Sequence, residues 1–182
     1  MAEKKKKVRV KRLYEYARDY TVSPDGKVRY HGLLYEYEEP DCAPRLRRCL
    51  LSSAIAAAFM VLSGLLPVVS MRFSPFVIFP YGIALVASAV LLVSCVRAVR
   101  AEVPMQRRTY DTSSGRFLPV SAVLGVCAAV CFAGHLVYVL THLFLGVTAP
   151  DVIFAVAQGC AAALAVSVAL QSRKLRCRSF EA

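Results

Sequence analysis

Four stretches of the chain contain no Asp, Glu, Lys or Arg: Cys49–Met71, Phe73–Val96, Phe117–Pro150 and Val152–Ser172, the shortest 21 residues long. A hydrocarbon layer of about 30 Å is crossed by about 20 helical residues rising about 1.5 Å each, and only a helix satisfies its own backbone in lipid. The pattern therefore predicts four transmembrane helices with cores at about 50–69, 76–96, 118–140 and 152–171. The expected fold is an all-α membrane protein of two tandem hairpins, 49–182, preceded by a small cytoplasmic segment, 1–48. A cytoplasmic loop, 97–116, joins the hairpins, and a cytoplasmic tail, 172–182, follows the last. Pro67, Pro80 and Pro119 are expected to bend or end helices locally.

The two hairpins resemble each other. Setting Arg48 on Arg116 aligns Leu50 with Leu118, Ser53 with Ser121, and Ala54 with Ala122; setting Pro75 on Pro150 aligns Val77-Ile78-Phe79 with Val152-Ile153-Phe154. Each Pro falls in the first turn of its span, where a missing N–H costs nothing. Parallel repeats about an axis along the membrane normal would follow, although Ala, Leu and Val rich sequence also yields such matches by chance. Small residues mark candidate packing stripes: Gly125, Ala129 and Ala133 on span three, and Ala155, Gly159, Ala163 and Ser167 on span four, where close backbone approach replaces the missing hydrophobic drive.

The segment before the first span carries six of the nine tyrosines. Ser23-Pro24-Asp25-Gly26-Lys27 has the composition of a tight turn, and pairing Ser23 with Lys27 sets Val22 opposite Val28 and Tyr20 opposite Tyr30, a β-hairpin near 19–31. Leu33–Tyr37 can add a strand. Val8–Tyr16 reads as an alternating strand or a short helix, with the strand preferred. Leu13-Tyr14-Glu15-Tyr16 recurs as Leu34-Tyr35-Glu36-Tyr37, the repetition expected of two amphipathic strands. About 40 residues make a weak core alone, so this segment should lean on the membrane surface, the 97–116 loop or a partner.

Composition agrees with the pattern: 57% of residues are hydrophobic and 19% charged, with mean hydropathy +0.51, against about 25% charged in a soluble domain. The net charge of +11 matters for orientation. Apart from Arg72, every Lys and Arg lies before span one, between spans two and three, or after span four, and basic residues are retained on the cytoplasmic side. Both termini are expected there. With no signal peptide in the first 48 residues and no lipidation motif, a multi-pass protein of a bacterial inner membrane is the favoured location. Lys4, Lys5, Lys6, Lys7, Arg9, Lys11 and Arg12 form a basic foot suited to anionic headgroups or a protein partner. Nucleic acid is not an expected partner, because no recognition helix or RNA-binding signature accompanies the charge.

Candidate chemistry is sparse. The seven cysteines fall on the reducing side or within spans and include no Cys-x-x-Cys, so they read as small apolar fillers. Cys127, Cys131, His135, Tyr138 and His142 share one face of span three at about 100° per residue, a stripe that could bind a soft metal but reads first as a packing face with interfacial His and Tyr. No Ser/His/acid set, phosphate loop or zinc-spaced motif occurs. The sequence thus implies a non-enzymatic subunit, anchor or assembly partner without a cofactor, engaging a protein or anionic lipid at its cytoplasmic face. A small homo-oligomeric transporter or channel and a metal-binding or redox membrane protein are the alternatives.

Overall fold

The computed structural model describes residues 16–17, 19–22, 28–38, 42–142 and 146–181. Four helices dominate: α1 (Ala43–Gly64), α3 (Pro75–Arg100), α5 (Phe117–Thr141) and α6 (Ala149–Lys174), each long and apolar enough to cross a membrane. They form an up-down-up-down bundle in which α3 packs on α1 and α5, and α6 closes the ring against α5 and α1. The short helices α2 (Val69–Phe73) and α4 (Arg107–Thr112) lie in the connections at opposite ends.

The helix bounds differ from the charge-free stretches that announce them: α1 starts earlier, α3 ends later, α6 extends at both ends and α5 stops short. α1 opens at Ala43 because Pro44 fits a first turn and Arg45, Arg47 and Arg48 are good helix formers. It stops at Gly64, short of the expected residue 69, with Pro67 in the break before α2. Pro75 and Pro150 both occupy first turns, Pro80 lies within α3, and Pro119 is the third residue of α5.

The bundle is sorted by side-chain size. Buried positions are largely small, among them Cys49, Ala56, Ala84, Cys95, Ala128, Cys131, Ala161 and Ala165, whereas Phe73, Phe76, Phe79 and Leu65 point outward. Small residues let helix axes approach, and large apolar side chains outside suit an apolar surrounding; in water so much contiguous apolar surface would drive association. The arrangement is compatible with an integral membrane protein. Buried Ser53, Ser63, Ser88 and Ser121 return their hydroxyls to carbonyls three residues back, at 2.7–3.1 Å, so they add no unpaired polarity.

At one end, the sheet end, strands meet. β1 (Tyr20–Val22) and β2 (Val28–Tyr30) form the expected hairpin in the expected register, Tyr20 opposite Tyr30 and Val22 opposite Val28; the Ser23–Lys27 turn lies outside the described residues. β3 (Leu33–Tyr37) is the expected third strand, but it pairs elsewhere. It is the centre of a separate antiparallel sheet, between β4 (Met105–Gln106) from the 97–116 connection and β5 (Cys177–Glu181) from the segment after α6. Two stretches that the sequence presented as connectors are therefore structural. Of the alternating stretch Val8–Tyr16, only Tyr16 is described, and it is helical.

Candidate functional site

The tyrosines of the N-terminal segment explain how the sheet end is held. Tyr16 donates to Asp111 Oδ2 at 2.8 Å, Tyr20 to Gln106 Oε1 at 2.8 Å and Tyr30 to the Leu33 carbonyl at 2.9 Å, while the Arg107 amide donates to the Tyr30 oxygen at 3.2 Å. Tyr35 on β3 stacks on Tyr110 of α4, centroids 4.3 Å apart and planes parallel within 1°. Tyr37, the last residue of β3, is buried and within 2.6 Å of Ser114 Oγ. Each of these contacts joins the N-terminal segment to itself or to the 105–114 stretch, so β3, β4 and α4 form one cap. β5 adds to it with Leu34 opposite Phe180 and Glu36 opposite Arg178.

Burial tunes two groups in this cap. It pushes the Tyr37 hydroxyl up to about 12, with the Ser114 bond pulling back, and pushes the Cys177 thiol up to about 11, with Cys42 and Glu38 adding to the rise. A thiol so shifted is protonated at neutral pH and a poor nucleophile. Beside it, Glu36, Tyr37, Glu38 and Arg178 line an open hollow at the sheet edge.

A second polar node lies at the opposite, hairpin end. His135 is 1% exposed; its Nε2 is 3.0 Å from the Asp151 carbonyl and its Nδ1 is 2.8 Å from Ser70 Oγ. A carbonyl only accepts, so Nε2 carries the proton and Ser70 donates to Nδ1, which fixes the neutral tautomer. The imidazole also meets Phe154 edge-on at 5.0 Å. It thereby ties α2, α5 and the start of α6 together. Asp151 Oδ2 accepts from the Thr148 hydroxyl at 2.6 Å and the Thr148 amide at 3.0 Å, a capping box for α6.

The third node is inside the bundle. Gln158 is wholly buried and donates through Nε2 to Ser63 Oγ at 3.0 Å; its Oε1 has no hydrogen-bond partner. Tyr81 donates to the Met60 carbonyl at 2.6 Å nearby, an approach open only because residue 64 is Gly, whose absent Cβ would collide with the phenol oxygen.

Of the span-three stripe, the bundle takes in Cys131, whose Sγ lies 3.6 Å from the Val77 carbonyl, and His135. Cys127 is half-buried, and Tyr138 and His142, also half-buried, stack on each other at 4.3 Å. Among the described residues no three His, Cys, Asp or Glu side chains converge as a metal site would require. Of the small-residue stripes, Gly125 faces Ala165 of α6 and Ala155, Gly159 and Ser167 are half-buried, whereas Ala129, Ala133 and Ala163 lie on the outer surface. The glycine set closest to another stretch of backbone is Gly134, where a Cβ would stand 3.0 Å from the Phe76 carbonyl oxygen. Lys4, Lys5, Lys6, Lys7, Arg9, Lys11 and Arg12 lie outside the described residues.

Sequence reasoning missed β5, β4, Ser70 and Gly134. Only the Thr148-x-x-Asp151 box before an apolar run carried a local signal that could have been read. No protein-family model, curated protein or solved structure matches the chain.

Proposed function

We propose that the protein is a non-enzymatic integral membrane subunit, anchored by the bundle in a bacterial inner membrane, whose cap faces the cytoplasm and holds a protein partner. The observation that carries this reading is the use of three separated segments, before α1, between α3 and α5, and after α6, to build one sheet at one end. A chain that needed only to cross the bilayer would spend shorter connections there. The orientation follows from the basic residues flanking the helices at that end, against Arg72 alone at the other.

The test is the composition of the particle extracted from native membranes in mild detergent. A second chain at fixed stoichiometry is the expected result, and it should be lost when β5 is removed by truncation after Lys174. A particle containing only copies of this chain overturns the reading. That outcome favours the second reading, a small homo-oligomeric transporter, whose one support is the unpaired, wholly buried Gln158 carbonyl oxygen in the bundle interior.

A further inference from the structure

We propose that the seam between the start of α1 and the end of α6 seats the headgroup phosphate of an anionic phospholipid. This rests on the membrane reading above and names a ligand for the same end of the molecule. Arg45 Nη1 donates to the Lys174 carbonyl at 3.3 Å, which fixes the two helix ends side by side. Around that contact Arg48, Arg173, Lys174 and Arg176 are all exposed. No acidic residue occupies the first turn of α1, and the last turn of α6 is basic. Among the described residues, Glu38 is held beside the seam by its amide, which donates to the Arg176 carbonyl at 3.1 Å, and the four exposed cations outnumber it.

What singles out a phospholipid from an acidic peptide or free phosphate is the surface beneath the cations. Three residues beyond Arg48, Leu51 is 62% exposed, and four residues before Lys174, Leu170 is 55% exposed. Residues at these spacings lie on one side of a helix. On both helices a cation is thus stacked over an outward-facing leucine, a charged head above an apolar strip. An anionic glycerophospholipid has the same order, and its acyl chains would cover side chains that are exposed among the described residues. A peptide held by the cations would leave the leucines bare.

The experiment is native mass spectrometry of the full chain in mixed micelles with equal mole fractions of phosphatidylglycerol and phosphatidylcholine. With roughly 1 kcal/mol from each of a few basic residues, phosphatidylglycerol adducts should exceed phosphatidylcholine adducts about tenfold or more. The triple variant Arg48→Gln, Arg173→Gln, Lys174→Gln should bring the ratio near one, while Arg48→Lys with Lys174→Arg keeps it. A matched triple on the α3 side, Arg97→Gln, Arg100→Gln, Arg108→Gln, should also keep it. Equal adducts on the native chain, an unchanged ratio in the first triple, or an equal loss in the matched triple would each overturn the seat. An unaltered thermal transition certifies that the variants fold. The partner is read on the same preparations: a second chain present without lipid preference removes the seat alone, and lipid preference without a second chain removes the subunit reading alone.

Discussion

His135 is a cross-brace whose two nitrogens are both committed, one to a carbonyl and one to a hydroxyl. Replacing it with Leu leaves Ser70 and the Asp151 carbonyl without their partner, a loss of about 1–3 kcal/mol, and the thermal transition in detergent should fall accordingly. Gln158 predicts the opposite sign. Its side chain carries a buried acceptor that nothing satisfies, so Gln158→Leu, of similar volume, should leave the transition unchanged or raise it. Tyr37 sets a pH window. Its folded value, about 12, lies above the unfolded 10.0, so its contribution is complete below pH 10 and is lost as pH rises towards 12, a total of about 3 kcal/mol. Alkaline titration followed by phenolate absorbance should show this ring ionising only as the cap opens, and Tyr37→Phe should abolish that late step. At this scale the sequence was legible in phase and silent about partners. Helical periodicity set Cys131 and His135 on one face, and both are buried, but Ser70 lies 65 residues from His135, a distance over which periodicity says nothing.

Helix packing follows from which face carries small residues, and the difficulty at this level is choosing among faces that all look small. In α5 the inward set is Phe117, Ser121, Leu124, Ala128, Cys131 and His135, while the small Ala129 and Ala133 lie outside. An Ala-rich helix offers several such faces, and only its neighbours select one. Gly134 sits against the start of α3, and a methyl there meets the Phe76 backbone rather than a yielding side chain. Gly134→Ala should therefore lower the thermal transition, whereas Gly159→Ala, whose Cβ meets nothing within 4 Å, should not. The strands divide along the same line. β1 and β2 were legible because a tight turn joins partners close in sequence; β5 was not, because Cys177–Glu181 has no turn beside it and its partner, β3, lies some 140 residues earlier.

For the whole molecule, the apolar runs sufficed to reveal four helices, since each unbroken run has the length of a spanning helix and about twice that of a spanning strand. The joining of their connections into one cap was invisible, being a matter of three-dimensional proximity. On the proposed orientation, a maleimide too polar to cross the bilayer should label Arg72→Cys in intact cells and label Arg178→Cys only after the membrane is opened, in a background where Cys42 and Cys177 are Ser. The reverse pattern would invert the topology.

The central strand of the cap is made before any of the long helices, and one of its two neighbours only after all of them. Until α6 has been synthesised, β3 waits with one edge open. On the proposed membrane placement, the two edges can meet only if an even number of crossings has returned the chain to the side where it began. A molecule in which one helix failed to insert would leave β3 and β5 on opposite sides of the bilayer, each with unpaired backbone. Closure of the sheet is thus a record, kept in hydrogen bonds, that the crossings came out even, and a partner that recognises the closed cap would pass over any chain in which a single helix had failed to insert.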